Sequence, residues 1–122
     1  MNILLMMPPV PKKTSWAASE KMPPLGIGYL ISFLIQDGHR VYFIDNELSE
    51  PLDYSVLIDK RIDFVGLYLN TMFFSEGNGL LWEIERLREK GKWKGKILVG
   101  GPHPTVRPED IPDFVDHIVC GE

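Results

Sequence analysis

Five short apolar runs recur along the chain, and they limit the folds it can adopt more than any other feature. They cover residues 3–6, 41–44, 64–69, 97–99 and 115–119. Most are apolar at successive positions, which is typical of strands buried on both faces of a parallel sheet. Parallel strands need a long crossover between them, and that crossover is usually a helix.

The segments between these runs carry helical patterns. One apolar helix face is formed by residues at helical spacing, namely Ile27, Leu30, Ile31 and Leu34. Gly38 is placed to end that helix in a left-handed conformation. Further, weaker or shorter helical patterns cover residues 52–60, 80–87 and 108–111. The alternation predicts an α/β fold with a doubly wound, five-stranded parallel sheet of order 2-1-3-4-5 between two helical layers.

Composition excludes several classes of function. The 122 residues suffice for one domain with a core, and a net charge of −4 without a basic stripe argues against nucleic acid as a partner. No apolar run is long enough to span a membrane. Cys120 is the only cysteine, so the chain has no internal disulfide and no multi-cysteine zinc or iron–sulfur site. We therefore expect a cytoplasmic protein with no membrane partner.

Common ligands of such sheets, which bind at the carboxyl edge, match this chain poorly. A phosphoacceptor receiver needs an acidic pair after the first strand and an aspartate after the third, but Pro8-Pro9 and Asn70 stand there. A flavodoxin-type phosphate loop needs Ser, Thr and Gly directly after the first strand, and the same two prolines stand there. Gly26-Ile27-Gly28 lacks the third glycine of a dinucleotide-binding loop. Asp45 lies where a ribose-binding acid would, so a Rossmann-like domain for a nucleotide or S-adenosylmethionine remains an alternative, as does a non-catalytic interaction module.

An ordered set of short motifs covers nearly all of the chain. In chain order they are Pro8-Pro9, Pro23-Pro24-Leu25-Gly26, Tyr29-Leu30, Gly38-His39, Asp45, residues 63–66, Thr71, Gly100-Gly101-Pro102-His103-Pro104-Thr105, Pro108-Glu109 and Gly121-Glu122. This set resembles the cobalamin-binding domain found in front of many radical-SAM enzymes. The glycines and prolines in it allow a backbone to approach a bulky ligand closely and keep its loop stiff.

The resemblance implies one flavodoxin-like, three-layer domain over residues 1–122, the amino-terminal part of a longer radical-SAM protein. It implies that cobalamin lies across the strand ends with its nucleotide tail in a slot beside the sheet. Gly100 and Gly101 would leave room for the tail, and Asn70 and Thr71 would hydrogen-bond it. The residues expected to bind the cofactor are Pro9, Pro24, Leu25, Gly26, Asp45, Tyr68, Asn70, Thr71, Gly100, Gly101, His103, Thr105 and Gly121.

Some residues depart from the pattern of cobalamin domains. Many of those domains carry D-x-H-x-x-G after the first strand, and its imidazole ligates cobalt. Residues 10–22 contain neither His nor Gly, so we expect no imidazole on cobalt from that loop and no metal ligand in this chain. Tyr68 stands where a serine is common, and its hydroxyl could substitute. His103 has two equal interpretations, a hydrogen bond to the tail or a role in holding its own loop.

The resemblance also indicates how such a chain would function. In that family cobalamin serves methyl transfer or another radical-SAM reaction, which needs S-adenosylmethionine and a 4Fe-4S cluster on a C-x-x-x-C-x-x-C motif. This chain lacks that motif. We therefore expect it to bind cobalamin and to work with a downstream radical-SAM domain of the same protein, without being catalytic alone.

Overall fold

Five parallel strands form one sheet in the computed structural model, which describes residues 1–8, 25–45, 53–71 and 74–119. The strands are β1 (Asn2–Met7), β2 (Arg40–Asp45), β3 (Phe64–Tyr68), β4 (Lys96–Gly100) and β5 (His117–Ile118). Their order is β2-β1-β3-β4-β5, and every pairing is parallel. The predicted doubly wound, flavodoxin-like fold and its strand order are confirmed, although β5 is shorter than expected.

Helical segments connect these strands. They are α1 (Leu25–Gln36), α2 (Val56–Asp59), α3 (Phe74–Glu89), α4 (Pro102–Val106) and a 3-10 helix (Pro108–Asp110). Helix α1 ends as predicted, because Gly38 has a φ of +89° and the His39 N–H donates to the Leu34 carbonyl at 3.0 Å. Helix α4 was not expected as a helix, and α3 begins six residues before the predicted apolar face at Leu80.

The main core lies on one face of the sheet. It joins alternate residues of the central strands to side chains of α2 and α3, and its most buried members are Leu4, Met6, Leu57, Val65, Leu67, Leu69, Leu81, Ile84, Ile97 and Val99. No described residue of α1 belongs to this core. Right-handed crossovers place α1 on the other face, so the domain has the three layers that were predicted.

The opposite face, called the α1 face below, follows from strand alternation and register. It carries Leu5, Phe64, Gly66, Tyr68, Leu98, Gly100 and Val119. Helix α1 buries less of its predicted apolar side than expected: Ile31 and Leu34 are half-buried, while Leu30 is 45% exposed. The stability of the domain therefore depends mainly on the face that packs against α3.

Two aspartates fix the register at the amino edge of the sheet. Asp63, just before β3, accepts a hydrogen bond from the Asn2 N–H at 2.8 Å, and its own N–H donates to the Asn2 carbonyl at 2.7 Å. Asp116, just before β5, exchanges the same two bonds with Ile97 at 2.8 and 2.9 Å. We call this pair the edge aspartates. Each one joins the start of a strand to its neighbour in the sheet.

The junction of β4 and α4 differs from the loop expected over residues 100–105. Pro102 starts α4 because proline suits the first helical turn. Gly101 has φ +111° and ψ −174°, and a Cβ there would lie 2.6 Å from the Leu69 carbonyl oxygen. Gly101 is thus required by the close approach of two backbone segments. The expectation that Gly101 leaves an open slot is wrong, because the Leu69 backbone fills that space.

Replacing one edge aspartate should lower stability in a pH-dependent way. Burial works against ionisation of Asp116, but hydrogen bonds from the Ile97 N–H and Arg88 outweigh it and hold its pKa below the ordinary 3.8. A carboxylate whose pKa is lowered on folding stabilises the fold above that ordinary value and loses this effect as pH falls below it. Asp116→Asn should therefore reduce the free energy of unfolding by about 1 kcal/mol at neutral pH, allowing for solvent screening.

Chemical denaturation across pH tests this, with Asp113→Asn as the control in the same loop, since Asp113 is exposed. The difference in the free energy of unfolding between wild type and Asp116→Asn should become smaller as pH falls below 3.8. A gap that is constant with pH would contradict the assignment.

Alanine at Gly101 should destabilise the fold, whereas alanine at Gly79 should stabilise it. Gly101→Ala forces a side chain into a left-handed φ and into the Leu69 backbone, at a cost of about 2 to 4 kcal/mol. Gly79 lies inside α3 with nothing within 4 Å of its Cβ position, so Gly79→Ala should add about 0.5 to 1 kcal/mol. Urea denaturation measures both. Equal stability of Gly101→Ala and wild type would show that the junction is looser than described.

Candidate functional site

The residues predicted to bind a ligand gather at the carboxyl edge of the sheet. Leu25 and Gly26 are the first two residues of α1, and Asp45 is the last residue of β2. Those that belong to or follow β3 and β4 are Tyr68, Asn70, Thr71, Gly100, Gly101, His103 and Thr105. Pro9, Pro24 and Gly121 lie outside the described residues.

The loops after β3 and β4 are joined through the backbone of Leu69. Its N–H donates to the Gly100 carbonyl at 2.8 Å, and its carbonyl accepts from the His103 N–H at 3.1 Å. The Thr105 hydroxyl donates to the Gly101 carbonyl at 2.9 Å, which closes the turn of α4. The two loops therefore form one hydrogen-bonded unit that holds Asn70 and Thr71 beside α4.

His103 is the buried polar centre of this unit. Its side chain points inward with the residue only 5% exposed, and its ring stacks on Phe74 with centroids 4.1 Å apart. Nδ1 lies 3.1 Å from Thr71 Oγ1, and Nε2 lies 3.0 Å from Asp110 Oδ2. Both ring nitrogens are engaged within the protein. Of its two interpretations, these contacts are those of a residue that holds its own loop.

Tyr68 and Gly100 pair in register on the α1 face, and Gly66 lies one step away on the same face. A Cβ on Gly100 would make ordinary contact with Val119 Cβ at 3.6 Å. A Cβ on Gly66 would meet the flexible end of Leu5 at 2.7 Å. Two neighbouring strands thus lack side chains at diagonal positions of this face, Gly66 beside Leu98 and Gly100 beside Tyr68.

Sequence analysis missed three residues of this edge. Asp110 and Phe74 hold the His103 ring. No sequence motif links either residue to His103, because the 3-10 helix and the start of α3 come together only in the folded chain. Gly66 was included in the motif of residues 63–66, but it was not predicted to lie on the same face of the sheet as the site residues. Strand alternation could have found it, since it is in phase with Tyr68.

Other features of the described residues lie away from this edge. A hollow of about 320 Å³ lies at the amino edge, lined by residues 57–58, 61–63 and 92–96, and contains no predicted site residue. Within the described ranges, no group of three or more His, Cys, Asp or Glu side chains is placed to hold a metal ion. None of the described helices has the length and hydropathy to cross a membrane.

Comparison with known proteins gives two matches. The B12 binding domain family matches residues 17–122. The chain is also 30% identical over 130 aligned positions to the protein named uncharacterized methyltransferase PH0819 from Pyrococcus horikoshii, an alignment that covers 100% of the chain and 27% of that relative. No solved structure matches the chain. Because the family covers most of the chain and its flavodoxin-like fold is the one described above, this chain belongs to the B12 binding domain family and is a cobalamin-binding domain.

Proposed function

We propose that this chain is the cobalamin-binding module of a radical-SAM enzyme that carries out methyl transfer or related chemistry. The name of the Pyrococcus horikoshii relative supports methyl transfer, and the ordered motifs of the sequence support the radical-SAM context. The chain spans 27% of that relative's length. In the proposed arrangement a further domain of the same protein supplies S-adenosylmethionine, the 4Fe-4S cluster and the catalytic residues.

The two glycines on the α1 face, Gly66 and Gly100, are the observation that carries the proposal for the binding site. A nucleotide tail is long and needs a path along the sheet that side chains do not block. Gly66 and Gly100 provide diagonal positions without side chains on β3 and β4, and the Leu5 end that lies over Gly66 is a flexible side chain that can move. We assign the tail to this path, next to β4 and not over Gly101.

The remaining residues of the carboxyl edge would contact the corrin and its arms. Asn70, Thr71 and the Tyr68 hydroxyl supply hydrogen-bonding groups, and His103 with Asp110 positions Thr71. The full proposed contact set is Pro9, Pro24, Leu25, Gly26, Asp45, Tyr68, Asn70, Thr71, Gly100, Thr105 and Gly121, with Gly101 and His103 shaping the loop. Stiff loops of this kind lose little conformational entropy when a ligand binds.

When bound, cobalamin supplies a cobalt centre that can accept and pass on a one-carbon group. The residues of this chain bind and orient the corrin without ligating that metal. Each described histidine is engaged elsewhere: His103 within its loop, His39 with Asp37 at 3.2 Å, and His117 stacked on Phe64 at 5.9 Å. We propose that no histidine of this chain would ligate the cobalt.

Uptake of hydroxocobalamin tests the binding site. The intact protein is mixed with hydroxocobalamin and desalted, and its visible spectrum is recorded. Wild type and Gly100→Ala should retain corrin absorbance, because a Cβ at Gly100 makes only ordinary contact. Gly100→Leu should weaken binding by at least about tenfold, because its side chain would extend into the proposed tail path, in line with the cost of overpacking.

Circular dichroism checks that both variants fold. Loss of all colour from folded wild type would overturn cobalamin binding. Equal affinity of Gly100→Leu and Gly100→Ala for hydroxocobalamin would instead contradict the position proposed for the tail on the α1 face, while cobalamin binding itself would stand.

Cluster content tests the radical-SAM context. The intact protein, purified without oxygen, should contain iron and acid-labile sulfide and should cleave S-adenosylmethionine when reduced. Alanine substitution of its three clustered cysteines outside residues 1–122 should abolish both properties while hydroxocobalamin is retained. A protein that binds cobalamin but contains no iron would contradict this context and favour a different methyltransferase chemistry.

A further inference from the structure

The hydroxyl of Thr71 is the outer end of a chain of three polar side chains at the carboxyl edge. Asp110 Oδ2 lies 3.0 Å from His103 Nε2, and His103 Nδ1 lies 3.1 Å from Thr71 Oγ1. His103 is buried, whereas Thr71 is exposed. The three groups therefore run from the partly exposed Asp110 through the buried His103 ring to a hydroxyl at the surface of the β3 loop.

With the His103 ring in its neutral form, the chemistry of these groups fixes the direction of each hydrogen bond. A carboxylate only accepts, so His103 Nε2 must carry the proton that it shares with Asp110. A neutral imidazole has a single N–H, so Nδ1 is an acceptor. Thr71 then donates its one hydroxyl proton to Nδ1. The Thr71 oxygen is left with lone pairs and no proton for any group that approaches from outside.

We propose that Asp110 and His103 hold Thr71 as a hydrogen-bond acceptor for an N–H group of the ligand. This inference rests on the proposed cobalamin site, because the corrin carries carboxamide arms whose N–H groups would be the donors. Thr71 would favour an amide arm over a carboxylate arm, since a carboxylate would face a lone pair. Asp110 and His103 are positioning residues in this scheme and need not touch the ligand.

Arg107 makes the Asp110 position testable. Its Nη2 lies 3.5 Å from Asp110 Oδ1, the carboxylate oxygen that does not face His103. In Asp110→Asn the amide oxygen is favoured on the side of this guanidinium, which turns the amide N–H towards His103 Nε2. The imidazole must then carry its proton on Nδ1 and donate to Thr71. The hydroxyl proton of Thr71 would point outward, and its polarity towards the ligand would be reversed.

Hydroxocobalamin affinity of the intact protein measures the effect. Thr71→Ser keeps the hydroxyl and should bind within about twofold of wild type. Thr71→Val and Asp110→Asn should each weaken binding by about tenfold, the effect of one unpaired buried polar group. Glu109→Gln is the matched control, because Glu109 precedes Asp110 in the same 3-10 helix and pairs with Arg107, whereas the ring of His103 pairs with Asp110. It should bind like wild type.

Two readouts separate this mechanism from a merely structural role of Asp110. The double variant Thr71→Val, Asp110→Asn should bind no more weakly than Thr71→Val, because both changes act through one oxygen. Nitrogen-15 spectra of the His103 ring without ligand should show a proton on Nε2 in wild type and on Nδ1 in Asp110→Asn.

Each failure has a distinct meaning. Wild-type affinity in Thr71→Val, or the same ring tautomer in both proteins, would overturn the inference while cobalamin binding stands. Additive losses in the double variant would do the same. Absence of hydroxocobalamin binding in folded wild type would overturn the proposed function and this inference with it.

Discussion

The carboxyl edge of the domain depends on one backbone segment, Leu69, which hydrogen-bonds both Gly100 and His103. This contact is possible only because Gly101 has no side chain where the Leu69 carbonyl passes. The β3 and β4 loops are consequently joined, and the His103 ring is brought between Thr71 and Asp110. A ligand that binds here meets polar groups already in place, so little of its binding energy is lost to ordering them.

The two faces of the sheet are covered unequally, which explains how the domain can lack side chains at two positions of one face and remain stable. Its most buried side chains lie on the face against α2 and α3, where they form a continuous apolar core. Gly66 and Gly100 lie on the other face. The apolar area that side chains at these positions would have buried is therefore not lost from the core. The main core thus lies on one face of the strands, and the proposed tail path lies on the other.

The architecture was predictable because it depends on local patterns. The apolar runs predicted the strands, and the rule that crossovers between parallel strands are right-handed then limited the possible strand orders. The site was predictable only as a set of chain positions at one edge. What Gly101 does could not be read from its neighbours, because the group that fills its side-chain space is Leu69, thirty-two residues earlier in the sequence. For the same reason the partners of His103 were out of reach: Asp110 and Phe74 come from segments whose meeting is set by packing. Helix α4 was missed because Gly and Pro were read as loop formers, although proline also begins helices.

The edge aspartates fix the alignment of the strands independently of the loops at the carboxyl edge. They tie the first residues of neighbouring strands together at the amino edge, through backbone groups that almost any strand sequence possesses. Alignment of the strands is therefore anchored at the end remote from the proposed cofactor site. Loops at the other end can lengthen, shorten or change composition without shifting one strand against the next. A domain built this way can adapt to a new substrate-bearing neighbour by altering its loops alone, while the platform beneath them stays the same.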